Sequence, residues 1–474
     1  MSQAQLSPCK NHVAQIQPLP DSIVLSIFQT PQNKLHRSFQ VLEVIRSKYS
    51  TNDIPTTLDI SFAWEYKQSG KECQKLAVLV KNMAAVFILD IDKDEASSVL
   101  IRHPISELIE SIEWIPPTVH QKDTGYANST QLVLFSEYNL SANLYSLDCT
   151  RKLCTVYKPI DDGIIIRKTS TGSYWCLIAD TFEYNVPPTL YQFLNTGSVS
   201  ILVNSVRLQN FMSEEALVDW STSGNWLQIL DRNDTLSSYN LKVYGSNGSF
   251  GPDLTKPVVQ LEFYNEVKEK GEIMVSKGGV HSCWCSSGET ELLLLARVIG
   301  PYLEIRGVSM RLLKVVLHVT KTLEEVAAKR NSFGVVKISY LHPLVFVQLG
   351  NHIVYLFKFD IDDTALHYVT WIETQSSILD ILSDESRCFI VSEHQIVLYE
   401  NGVEKILLST NAAIYSASLL DNQTIIVFAR EANGEFWEYL SIKQSTQSNK
   451  SSAGSNTMDE VTDTFANRKR ARFK

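Results

Sequence analysis

Runs of five to eight residues rich in Val, Ile, Leu, Tyr and Phe recur along nearly the whole chain, divided by small clusters of Ser, Thr, Asn, Asp and Gly. Examples are Leu76-Ala77-Val78-Leu79-Val80, Leu344-Val345-Phe346-Val347-Gln348 and Thr424-Ile425-Ile426-Val427-Phe428. Such runs are too short for buried helices and too β-branched and aromatic to prefer one, so they read as strands joined by turns. One segment, 322–330, carries a helical pattern, with Leu323, Val326 and Ala327 on one side and Glu324 and Glu325 near its start. The fold class expected is all-β.

A degenerate repeat organises the strands. Three turns carry a small-polar triplet before glycine: Thr169-Ser170-Thr171-Gly172, Ser221-Thr222-Ser223-Gly224 and Cys285-Ser286-Ser287-Gly288. Tryptophan recurs near the end of the first strand of a unit, at Trp64, Trp114, Trp220 and Trp284. The shared period is about 50 residues, the length of one propeller blade with long loops. Units of four strands start before Trp64 and near Leu108, Ile164, Ala216, Gly279, Val335, Ile378 and Ile414, with another in the segment 21–48. They predict a WD40-like β-propeller over 1–443 with degenerate repeats and about eight blades (seven to nine), the terminal blade closed by strands from both ends of the chain. Two stacked β-sandwiches would show similar strands, but not a Trp and a Gly turn at one period. Trp-Asp and Gly-His pairs at blade ends are missing, so these are not well-formed WD repeats. By its place just before a repeat turn, Trp220 is expected to be a core residue.

Composition narrows the function. The 474 residues are 44% hydrophobic and 20% charged, enough apolar material for a large core. With 43 basic against 52 acidic residues the net charge is -9, which argues against nucleic-acid binding by the body of the protein. The most apolar stretch, around Leu292-Leu293-Leu294-Leu295, is much shorter than a membrane-spanning helix, and the N-terminus lacks the apolar core of a secretory signal. The protein is therefore expected to be neither membrane-bound nor secreted, with its eight cysteines as free thiols.

Chemistry-bearing motifs are sparse. No Gly-x-Gly-x-x-Gly, Gly-x-x-x-x-Gly-Lys-Ser/Thr, Gly-x-Ser-x-Gly or His-Glu-x-x-His appears. His281, Cys283 and Cys285 alternate, so one strand face would carry all three, but a core strand with buried thiols accounts for them better than a metal. Cys149 and Cys154 have a permitted zinc spacing without a second pair nearby. No catalytic residue, metal or cofactor is expected, although a propeller enzyme could assemble a site from several blades. Candidate partner-binding residues come from long loops at 117–129, 181–188 and 245–257: Tyr126, Phe182, Tyr184 and Phe250 are aromatics outside any strand pattern. From 444 to 474 the composition turns to Gln, Ser, Thr and Asn, expected to be a disordered tail, and it ends in a basic cluster. Arg468, Lys469, Arg470, Arg472 and Lys474 form a nuclear-import-like motif.

Between residues 109 and 244 the chain resembles the Wdr-eight family of WD-repeat proteins, as a divergent member of fungal type. The residues that carry the likeness are Glu137-Tyr138-Asn139-Leu140, the strand ending Tyr145-Ser146-Leu147, the blade end Tyr157-Lys158-Pro159, Gly172-Ser173-Tyr174-Trp175-Cys176-Leu177-Ile178-Ala179, and Ala216-Leu217-Val218-Asp219-Trp220. The resemblance implies a non-catalytic adaptor of centrosomes or spindle pole bodies, helping anchor microtubule minus ends. Its implied partners are a coiled-coil microtubule-anchoring protein and a minus-end-directed kinesin. A different reading rests on the basic tail: a nuclear scaffold in a chromatin or ribonucleoprotein complex.

Overall fold

In the computed structural model the described residues are 3–19, 22–65, 74–93, 98–102, 109–115, 131–136, 141–145, 152–157, 164–167, 174–179, 189–195, 200–207, 217–221, 225–233, 238–245, 256–269, 272–287, 290–323, 334–360, 363–384, 387–400, 402–432, 434–442 and 469–471. From 133 to 218 the description is of backbone alone.

The strands pair antiparallel with their sequence neighbours, and in groups of four they make nine successive units. Blade 1 runs from Gln3–Leu6 to Lys34–Gln40, blade 2 from Ile60–Trp64 to Val99–Arg102, and blade 3 from Ile109–Ile115 to Lys152–Tyr157. Blade 4 runs from Ile164–Arg167 to Ser200–Arg207, blade 5 from Leu217–Trp220 to Val259–Tyr264, and blade 6 from Glu272–Ser287 to Lys314–Thr322. Blade 7 spans Val335–Leu341 to Ala365–Glu373, blade 8 Ile378–Ser383 to Val403–Ser409, and blade 9 Ala413–Asp421 to Lys469–Ala471. The molecule is an all-β propeller, with nine such units among the described residues. Blades 3 to 5 and 7 to 9 begin within a residue or so of the expected places. Blade 1 begins at Gln3, well before the expected segment 21–48, because glutamines interrupt the apolar pattern of its first two strands.

A β-strand sends alternate side chains to opposite faces, and here both faces are buried. In Lys75–Val80, Leu76, Val78 and Val80 join a cluster with blade 1, whereas Ala77 and Leu79 join one with blade 3. In Thr290–Ile299, Leu292, Leu294, Ala296 and Val298 pack toward blade 7, and Leu293 and Leu295 toward blade 5. In Thr424–Glu431, Ile425, Val427 and Ala429 pack on blade 8, and Ile426 and Phe428 on blade 1. Each central strand thus serves two interfaces, which explains why it reads as a continuous apolar run. First strands of neighbouring blades lie side by side, placing them innermost. Fourth strands face outward, as the 65% and 57% exposure of Val403 and Ile406 shows.

The repeated tryptophan has a defined role. Trp64 Nε1 donates to Gln5 O (3.2 Å), and Trp114 Nε1 donates to Ala63 O (3.1 Å). In both cases a first-strand indole reaches the first strand of the preceding blade, so at these two positions the repeat in sequence is a repeat of one inter-blade bond. Trp284 departs from it: it packs against the core between blades 5 and 6, and its Nε1 is buried without a hydrogen-bond partner. The Trp220 side chain lies outside the described residues.

Two further features depart from the expected pattern. The first strand of blade 6 is sixteen residues long because its beginning pairs with an added strand, Glu266–Glu269. At Gly278 and Gly279 it bulges and pairs parallel with Val335, joining blades 6 and 7 into one sheet. Gly278 has φ +69°, and a Cβ on Gly334 would collide with Lys277 O and lie 2.6 Å from Gly278 Cα, so only glycine permits this backbone crossing. The α-helix among the described residues is Val41–Arg46, whose Val41, Val44 and Ile45 plug the core between blades 1 and 2. The expected helix at 322–330 falls outside the described residues beyond Leu323, and Thr322 itself ends a strand.

Blade closure differs from the expectation. No described sheet mixes strands from the two ends of the chain; blade 1 is wholly N-terminal and blade 9 wholly C-terminal. The fourth strand of blade 9, Lys469–Ala471, comes from within the basic cluster, in a segment expected to be an unstructured tail. A composition count over 444–474 averages this short strand into its polar surroundings.

Candidate functional site

With no strand shared between the ends of the chain among the described residues, the ring closes at a seam between blades 1 and 9, held by side chains. Ala4, Val13 and Phe28 from blade 1 bury against Ile426, Phe428, Trp437 and Tyr439 from blade 9. Phe28 and Trp437 meet edge to face at 5.1 Å, a favourable arrangement of the two ring quadrupoles. Trp437 is fully buried, and its Nε1 donates to Asn33 Oδ1 at 3.2 Å. Asn33 presents that oxygen from a turn with φ 56°, a left-handed conformation that asparagine tolerates better than most residues.

Beside this turn on blade 1 lies the turn 7–12, joined to it by Thr30 N donating to Asn11 O at 2.9 Å. Ser7 N donates to His12 O and Ser7 O accepts from Lys10 N, both at 2.8 Å, while Ser7 Oγ accepts from His12 N at 3.1 Å. Lys10 also sits at positive φ, 62°, and its ammonium donates to Leu419 O of blade 9 at 2.6 Å. Between the turn 7–12 and the first two strands of blade 9 lies a cleft of about 330 Å³, lined among others by Gln5, Ser7, Pro8, Lys10, Ser416 and Ser418. The Lys10 ammonium with further donor capacity, the hydroxyls of Ser416 and Ser418, and Phe428 of the same lining suit a short extended segment carrying acceptor oxygens.

A second polar centre lies between blades 5 and 6. Glu304 is buried, its Oε2 accepts from Arg297 Nε, and its Oε1 accepts from Arg306 Nη2 at 2.7 Å with His318 Nε2 at 2.8 Å. Arg297 Nη1 also donates to Tyr264 O of blade 5 at 2.8 Å, and both guanidiniums lie over the Phe263 ring. Burial by itself would raise the Glu304 carboxyl, but the hydrogen bonds and charges of Arg297 and Arg306 outweigh it and hold it below the ordinary carboxylate value. Three partners around one carboxylate make this a clamp between blades.

His281, Cys283 and Cys285 do lie on one strand. Cys285 packs with Cys283 in the core shared by blades 6 and 7, where burial and then Cys283 push its thiol up. Burial lowers the His281 pKa. Thiols held protonated are poor metal ligands and poor nucleophiles. Among the described residues no group of three or more His, Cys, Asp or Glu side chains is arranged to hold a metal ion.

The loop aromatics Tyr126, Phe182, Tyr184 and Phe250 lie outside the described residues, as do Arg468, Arg472 and Lys474. Lys469 and Arg470 lie together in the last strand, in register with Tyr439 and Glu438. Sequence reasoning passed over the seam residues Lys10, Asn33 and Trp437. Asn33 offered a signal, since Pro31-Gln32-Asn33 is turn chemistry between two strands. Nothing local tells that this turn meets a residue some four hundred positions away.

No family model matches the chain, and no curated protein sequence does. Among solved structures it is similar to Saccharomyces cerevisiae Sqt1, with 9% identity and a TM-score of 0.44 over 78% of this chain and 92% of that one. It is similar to the Dos1 propeller, with 11% identity and a TM-score of 0.45 over 80% and 92%. It is also similar to the WD40 domain of SCAP from fission yeast, with 11% identity and a TM-score of 0.40 over 93% and 94%. At these values the likenesses carry no functional argument, and the propeller assignment rests on the strand pairing itself.

Proposed function

We propose that the protein is a non-catalytic scaffold that binds other proteins around a rigid ring. The observation carrying this reading is that apolar side chains remain exposed where a rigid frame holds them: Val403 and Ile406 on the outer strand of blade 8, and Leu312 and Leu313 at a turn of blade 6. Exposed apolar residues on an ordered frame are what protein interfaces cover. The resemblance over 109–244 supports the more specific proposal of an adaptor at the spindle pole or centrosome, engaging a coiled-coil microtubule-anchoring protein and a minus-end-directed kinesin. Purification of the tagged full chain followed by mass spectrometry tests it. Spindle-pole and kinesin partners are expected, together with a focus of the tagged protein at the poles in mitosis. Recovery of chromatin or ribosome factors would overturn it in favour of the nuclear scaffold that the basic cluster at the C-terminus supports.

A further inference from the structure

Blade 9 differs from the others in how it acquires its outer strand. In blade 8 the third strand, Gln395–Glu400, leads through a tight turn to Val403–Ser409. In blade 9 the third strand, Gly434–Ser441, ends without one, and the outer position is filled by Lys469–Ala471 after the intervening 443–468. An unfilled sheet edge presents a row of bare N–H and C=O groups, a template for any extended segment.

Charge adds selectivity to that edge. Glu438, at the middle of the accepting strand, is 2% exposed, and the register sets Arg470 directly opposite it. Opposite charges at facing positions of an antiparallel pair stabilise it. Glu435, earlier on the same strand, has its carboxylate taken by Arg430 Nη2 at 2.5 Å.

We propose that the edge of Gly434–Ser441 is an acceptor site for a short basic strand, and that its occupant is this chain's own C-terminal segment, which docks and releases as a unit. A strand of three residues buries little surface and lies at the weak end of local stability, while its covalent tether makes rebinding intramolecular. Docked, the segment completes blade 9 and is withheld from anything that would bind it as a free basic peptide. Released, it is available to such a partner and leaves the blade edge open to another basic strand. The proposal does not depend on the spindle-pole reading.

The test uses the full chain and its Arg470→Pro variant, since proline removes an N–H and cannot continue the strand. Amide hydrogen exchange is followed across Gly434–Ser441, and a fluorescent peptide of residues 466–474 is titrated into both proteins, beside a peptide of scrambled order and equal charge. In the variant, exchange in this strand is expected to quicken about tenfold or more with the other blades unchanged. The peptide is expected to bind the variant saturably, the wild type at least about tenfold more weakly, and the scrambled peptide neither. Equal exchange in both proteins, or equal peptide binding by both, overturns the proposal. Equal binding of the scrambled peptide overturns the strand mechanism in favour of charge alone. A concentration-dependent dimer of the wild type that the variant lacks would show that the segment docks on a second copy, which also overturns docking within one chain.

Discussion

The first-strand tryptophans and Glu304 show how single side chains set the spacing of the blades. Trp114 is 3% exposed and donates to Ala63 O across the interface with blade 2. Trp114→Phe keeps an aromatic ring but leaves that carbonyl without its indole donor, so it should cost about 1 kcal/mol, read as a lowered denaturation midpoint at unchanged m-value. Glu304 adds a pH dependence. Because its folded pKa lies below the ordinary 4.5, its contribution is complete above the unfolded value and is lost as pH falls through the folded one. Glu304→Ala strands Arg297, 4% exposed, without its carboxylate and should cost about 3–5 kcal/mol at pH 7. Denaturation series from pH 7 to pH 3 should show the two proteins converging below about pH 4.5 as the wild-type carboxylate takes up its proton. A gap that stays constant through that range would show that the clamp works by packing alone.

Strands and turns carry the next level of specificity. The parallel bridge of Gly278 and Gly279 to Val335 brings two backbones within the reach of a methyl group. Gly334→Ala has to push the Lys277 backbone aside, at a cost of about 1–3 kcal/mol from overpacking, measurable as a fall in melting temperature. The glycines were visible in the sequence, and Gly279 marked the start of a unit, but their pairing across two blades was not. On the proposed scaffold role, the outer strands and loops are where partners would meet the ring. Replacing Tyr126, Phe182, Tyr184 and Phe250 with Ser should abolish binding of the proposed coiled-coil partner while leaving circular dichroism and melting temperature nearly unchanged. Binding that survives would move the interface to the outer strands, with Val403 and Ile406 the first to change.

For the whole ring, closure is the decisive event. Trp437 lies at the junction of the first and last blades, fully buried against Phe28 and Phe428. Trp437→Ala should cost about 3–5 kcal/mol through the cavity it leaves. Because the seam joins the two ends of the chain, amide exchange should quicken in blades 1 and 9 before blade 7. The strands of the ring were legible because a sheet buried on both faces demands continuous apolar runs, and runs such as Thr424–Glu431 write that demand into local sequence. The repeat period and its tryptophans were legible because successive blades are alike in strand order, and Trp64 and Trp114 serve their interfaces with the preceding blade in the same way. What local pattern did not carry was how the ring ends. A blade closed by both termini, a side-chain seam, and a basic segment returning as a strand are equally compatible with the same apolar runs. The choice among them depends on contacts such as Asn33 with Trp437 and Lys10 with Leu419, between residues about four hundred positions apart. Strand identity follows from burial that neighbouring residues share, so sequence alone determined it; closure follows from contacts between remote residues, so only the tertiary structure could decide it.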